Sequence, residues 1–149
     1  MNTSTHTSLR ITREIVAPRD IVYAAWIDTG TALKWWGPKG VQTEELVIEA
    51  HVGGKLRWQF RTPEGERITA MGEFREVSPE EKLVLAWSGT QDVMEGAEES
   101  VVTVEFRAKA PGTTELVLTH ENLPSEKSRD NHAEGWNSAL DKLEHFLAS

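Results

Sequence analysis

The sequence predicts an α+β fold in which one curved antiparallel sheet is covered by a single layer of helix. Two observations carry most of that prediction. From Val41 to Glu121, apolar residues recur at alternate positions in six runs joined mostly by short turns, the mark of an antiparallel meander. From Ser125 onward they recur at helical spacing instead, over roughly 30 Å, enough to cross a sheet. A strand-like run and two short helical segments precede the meander, and a chain of 149 residues suits one core. Residues 1–8 are Thr/Ser-rich and are expected to be a disordered tail, leaving 9–149 as a single domain.

Each element has its own justification. Residues 9–16 (LRITREIV) alternate as a strand, with Leu9, Ile11 and Ile15 toward the core. Pro18 suits a first helical turn, where its missing N–H costs nothing. Over 18–27, Val22, Ala25 and Trp26 recur at helical spacing, and Asp20 complements the positive helix N-terminus. Asp28-Thr29-Gly30 reads as a break, and 31–36 as a second short helix ended by Gly37-Pro38. Strands are expected at 41–49, 55–61, 66–77, 82–88, 100–108 and 113–121. Gly53-Gly54, Pro63-Glu64-Gly65, Ser78-Pro79 and Pro111-Gly112 supply turn chemistry between them. In 55–61, Leu56, Trp58 and Phe60 face one way and Lys55, Arg57, Gln59 and Arg61 the other, so one face is covered and one is wet. The cover is the last helix. Ser125 is its N-cap, and Ala133, Trp136, Leu140, Leu143 and Leu147 form its apolar stripe, widened by Ala139 and Phe146.

Composition excludes several functions. A net charge of −8 disfavours nucleic acid and anionic membrane surfaces. No segment approaches the ~20 apolar residues of a membrane span, and MNTSTHTS lacks the features of a signal peptide, so a cytoplasmic location is expected. With no cysteine, thiolate nucleophiles and cysteine-ligated metals are absent. Gly53-Gly54 precedes a strand and no Gly-Lys-Ser/Thr, so it reads as a turn and not a phosphate loop. His132-Ala133-Glu134 lacks the cysteines of a zinc deaminase, and His120-Glu121 has no second histidine to complete HExxH. No GxSxG elbow occurs. Accordingly no metal, cofactor or catalytic residue is assigned. The long acidic loop around Asp92, Glu95, Glu98 and Glu99 has two readings, a solvated loop or a lid over a cavity mouth.

Several short motifs stand in a particular order. Ala17-Pro18 opens a helix, Trp35-Trp36-Gly37-Pro38 closes the next, and Gly53-Gly54 precedes a strand. Gly72 with Phe74, Ser78-Pro79 before Leu83-Val84, and Thr114 with Leu116, Leu118 and His120 follow. Gly135-Trp136 with Leu140 and Leu143 completes the series. In this order the chain resembles the SRPBCC superfamily of START-like and birch-pollen-allergen-like domains. More narrowly it resembles the bacterial branch named after the activator of the heat-shock-protein-90 ATPase. The resemblance runs from about Leu9 to Leu147. It implies a helix-grip architecture, a seven-stranded sheet wrapped around the last helix with a cavity between them.

Six Trp against one Tyr and four Phe point to a bulky core or an indole-walled cavity. Trp58, Phe60, Trp87 and Trp136 should converge between sheet and helix. Of Trp35 and Trp36, one is expected to anchor the short helix and the other, Trp36, to lie at the pocket mouth. His120 shares a face with Leu116 and Leu118. It reads either as a polar ring on the cavity wall or as a core histidine bonded to a neighbouring strand or an indole N–H. The expected ligand-binding residues are Trp36, Leu56, Trp58, Phe60, Trp87, Leu118, His120, Trp136 and Leu140, holding a small apolar molecule. Two other readings stand beside it: a cyclase or isomerase using His120 as general acid/base, and a chaperone-contacting module as the family name implies. A homodimer through a sheet edge is an assembly the fold permits.

Overall fold

A computed structural model describes residues 7–89 and 100–148 of the chain. Among them are seven strands and three helices. In chain order these are β1 (Thr7–Ile15), α1 (Arg19–Ile27), α2 (Thr29–Ala32), β2 (Gln42–Ile48), β3 (Lys55–Arg61), β4 (Arg67–Ser78), β5 (Lys82–Gly89), β6 (Ser100–Ala110), β7 (Thr113–Leu123) and α3 (Glu126–Ala148). The strands form one open antiparallel sheet in the order β1-β7-β6-β5-β4-β3-β2. Neighbours in sequence pair directly from β2 to β7. The α1–α2 segment carries the chain from one sheet edge to the other, so β1 closes onto β7. This is the α+β architecture expected from the alternation and the long terminal helix, and it is helix-grip-like, as the resemblance implies.

The differences are local. Thr7 and Ser8 already belong to β1, where the tail was expected to continue. The second helix starts two residues early because Asp28 is its N-cap: the carboxylate accepts from Thr31 N at 2.9 Å and from Thr31 Oγ1 at 2.6 Å. What read as a break is therefore a cap, and Lys34 to Trp36 continue as hydrogen-bonded turns instead of helix. The acidic loop around Asp92 to Glu99 lies outside the described residues.

The inner face of the sheet and the apolar stripe of α3 make one core, with Leu140 and Leu143 fully buried. Ser125 caps α3 as expected, its Oγ accepting from Ser128 N at 3.0 Å. α3 packs on β1 and β7. Arg13 on β1 ties the two together, donating to Asp141 at 2.8 Å, to Asn137 Oδ1 at 2.9 Å, and to Glu144. The outer face carries ion pairs such as Arg57–Glu45 and Arg67–Glu44.

Candidate ligand cavity

Between α3 and the β3–β5 part of the sheet lies a cavity of about 200 Å³, partly open to solvent. The sheet contributes Trp58 and Phe60 from β3, Ile68 and Ala70 from β4, and Trp87 from β5. The turn after α2 contributes Trp36, Gly37 and Pro38, and α3 contributes Asn131, His132, Gly135, Trp136 and Ala139. Behind it lies a second pocket of about 10 Å³. Trp36, Trp87 and Trp136 wall both, and Trp26, Leu56, Phe74, Leu83, Leu85 and Val102 complete the smaller one.

Strand register explains why space remains. Trp58 pairs with Ala70 and Phe60 with Ile68, and cross-strand partners share a face. The small Ala70 opposite an indole leaves room above it. Trp58 and Phe60 stack with centroids 3.9 Å apart, and the Trp58 indole N–H donates to Thr43 Oγ1 at 3.0 Å. Gly37 closes the wall from the other side. Its φ is +83°, and an added Cβ would fall 2.6 Å from the Trp58 ring. Lys142 Nζ donates to the Gly37 carbonyl at 3.0 Å, and Ser138 Oγ accepts from Lys39 N at 2.8 Å, pinning this turn to α3. Gly37→Ala is expected to lose about 1–2 kcal/mol from the left-handed backbone alone, and to displace Trp58. Urea unfolding and near-ultraviolet dichroism of the indoles check both. An unchanged indole spectrum would argue against the close approach.

His120 stands behind this wall. It is fully buried and both ring nitrogens are engaged. The Trp136 indole N–H donates to Nδ1 at 3.1 Å, and Ser100 Oγ lies 2.8 Å from Nε2. An indole N–H can only donate, so Nδ1 is the acceptor and the ring proton sits on Nε2, donating to Ser100. Ser100 Oγ in turn donates to the Trp87 carbonyl at 3.0 Å. A hydrogen-bond chain thus runs from α3 through β7 and β6 to β5, joining two residues whose indoles wall the cavity. Burial, with His132 adding to it, pushes the His120 pKa down to about 3, so the ring is neutral at physiological pH. The ring of His132 meets that of His120 edge-on at 4.8 Å, and its Nδ1 lies 2.8 Å from the Ser128 carbonyl.

Of the residues expected from sequence, Trp36, Trp58, Phe60, Trp87 and Trp136 come together on the cavity wall. Leu56 lines the smaller pocket. Leu118, His120 and Leu140 do not line either; they are fully buried in the core, Leu140 on the stripe of α3 and Leu118 and His120 on β7 beneath it. The reason is topological: β7 lies between β1 and β6, where α3 packs directly, and not beside the strands that wall the cavity. The sequence reading missed Ile68 and Ala70, which register with Phe60 and Trp58 would have supplied. It also missed His132 and Ala139, which lie four residues before and three after Trp136 and so share its helix face.

Sheet, helix and intervening cavity together define a helix-grip-like α+β domain, an architecture consistent with ligand binding. The chain belongs to the family of Activator of Hsp90 ATPase homolog 1-like proteins, whose sequence model matches residues 16–148, within the SRPBCC type. Similar solved structures include protein CV1439 from Chromobacterium violaceum, with 24% identity, 95% of this chain and 97% of that chain covered, and a TM-score of 0.84. The AHSA1 protein of Silicibacter pomeroyi is 26% identical over 95% of this chain and 98% of that one, with a TM-score of 0.81. CalU16 from Micromonospora echinospora is 24% identical over 94% and 75%, with a TM-score of 0.71. The first and third likenesses speak to fold alone. No curated protein matches the chain. Among the described residues no helix is long and apolar enough to cross a membrane, and no group of three or more His, Cys, Asp or Glu is placed to hold a metal ion.

Proposed function

We propose that the protein binds a small apolar or aromatic molecule in the cavity between the sheet and α3. The observation that carries this reading is the concave, indole-walled space itself, because small-molecule sites are concave and mostly apolar. Its size sets the ligand's: an apolar cavity of ~150 Å³ takes benzene, and sites for drug-sized molecules begin near ~300 Å³. A ligand of one or two rings is therefore the fit. Trp36, Trp58, Phe60, Trp87 and Trp136 supply the contact surface, with Asn131 and His132 as the polar side chains on the wall.

Gly135 adds support. Glycine inside a helix costs about 1 kcal/mol relative to alanine. Here no positive φ requires it, and beyond its chain neighbours and its own helix backbone the nearest atom to an added Cβ among the described residues is Pro38 Cγ at 4.0 Å. The missing side chain leaves cavity volume open. Gly135→Leu is expected to weaken binding of an aromatic probe at least about tenfold while keeping or raising stability, since it fills the site and improves the helix. Native mass spectrometry of the wild type should show a small non-covalent adduct, and Gly135→Leu should lose it. If neither an adduct nor quenching of tryptophan fluorescence by aromatic probes is seen, the reading fails.

The family description favours a second reading, contact with a chaperone ATPase. Stimulation of that ATPase by the purified chain, unaffected by Gly135→Leu, would support it over the cavity reading. An acid–base enzyme has less behind it, because His120 lies off the wall with both nitrogens engaged.

A further inference from the structure

The Trp26 indole N–H is buried without a hydrogen-bond partner among the described residues. Buried donors nearly always have one, so the exception calls for a cause. Trp26 is 3% exposed. Its neighbours Trp35, Trp36 and Phe106 meet it at steep interplanar angles of 64°, 82° and 77°, offering at most the weak acceptance of a π face. Trp26 also walls the small pocket behind the main cavity.

That pocket measures about 10 Å³, close to the ~10–15 Å³ that one water-sized atom needs. Its lining side chains are indole and hydrocarbon, so they present donors and no acceptor. The strand residues around it, such as Leu56, Leu85 and Val102, lie in interior strands with ladders on both sides. A water there would keep its own protons unpaired. An oxygen bearing only lone pairs has no such deficit.

We infer that the small pocket is the deep end of the ligand site. There Trp26 Nε1–H donates to a carbonyl oxygen carried by the ligand, making an aromatic ketone, quinone or lactone the favoured class. This rests on the cavity reading and adds orientation to it: rings between Trp58, Phe60 and Trp136, and the oxygen inward past Trp36 and Trp87. A hydroxyl in that position would bring a proton with no acceptor and is disfavoured.

The test is a cycle of two probes and two proteins. The probes are 2-acetylnaphthalene and its near-isostere 2-isopropenylnaphthalene, which replaces the carbonyl oxygen with CH2. The proteins are the wild type and Trp26→Phe, which keeps a ring and loses the donor. The ratio of hydrocarbon Kd to ketone Kd is expected to fall about tenfold on substitution, the effect of losing one buried hydrogen bond. An unchanged ratio overturns the inference while leaving the cavity reading intact. Failure of both probes to bind the wild type overturns both. If Trp26→Phe does not fold, the wild type alone decides: the Trp26 indole N–H proton resonance should move downfield with the ketone and not with the hydrocarbon, and equal responses overturn the inference.

Discussion

Replacing Trp136 with alanine is expected to lower the unfolding free energy by about 3 kcal/mol and to abolish binding of aromatic probes. Trp136 lies 5.9–6.2 Å, ring to ring, from Trp26, Trp36 and Trp87. It walls both pockets, so its removal widens both and strips contact from three indoles. The substitution also leaves His120 Nδ1 buried without its donor, a further cost of about 1–3 kcal/mol where water cannot enter. Trp136 is only half-buried, so only part of the cost of removing a buried Trp applies, which holds the total to about 3 kcal/mol. Trp136→Phe separates the two contributions. It restores most of the apolar contact and should recover much of the probe binding, yet remain about 1–2 kcal/mol less stable than the wild type because the indole N–H is missing. Urea unfolding of the three proteins, with probe titration beside it, reads both effects. A phenylalanine variant as stable as the wild type would mean the Trp136–His120 bond carries no net weight.

The sequence made the architecture legible because period and turn chemistry are local. Leu56, Trp58 and Phe60 alternate with charged residues whatever strand lies beside them, and the stripe of α3 is visible from its own spacing. The cavity was legible only in part, because it depends on which strand sits next to which. Trp58, Phe60, Trp87 and Trp136 are large and inward-facing, and they meet. Leu118 and His120 are inward-facing on the same evidence, but β7 lies under the packed part of α3, and nothing in their own alternation could say so. Small residues were the harder case. Ala70, Gly135 and Ala139 shape the cavity by what they do not fill, and a sequence read for chemistry-bearing side chains passes over them. Asp28 shows a different failure. The same carboxylate fits a break or a cap, and only its bond to Thr31 N decides.

His120 makes stability fall as pH drops through a range where the carboxylates do not yet interfere. Its ordinary pKa is 6.5, and burial, with His132 secondary, lowers it to about 3 in the folded protein. Above pH 6.5 both states carry a neutral ring and His120 contributes no pH dependence. Below it the unfolded chain takes up a proton that the folded chain refuses, so stability is lost progressively until the folded pKa is reached. The expected loss from this one group is about 2 kcal/mol by pH 5, approaching a slope of about 1.4 kcal/mol per pH unit. Asp28, Glu44 and Glu73, whose pKa values are lowered by hydrogen bonds and neighbouring cations, add their own losses only further down, below their ordinary values of 3.8 and 4.5. His120→Gln should flatten the profile between pH 6.5 and 5 by about one proton, at some cost in stability at neutral pH. Probe affinity should behave differently. The folded ring stays neutral throughout that window, Nδ1 keeps accepting from Trp136, and the wall stays in place, so Kd should be level from pH 8 to 5 while stability declines. Protonation would set an N–H of the ring against the indole N–H of Trp136, two donors facing each other. If affinity falls in step with stability above pH 5 in the wild type and in His132→Gln alike, His120 is protonating within the folded protein, and the closed hydrogen-bond chain from Trp136 to Trp87 is not the resting arrangement.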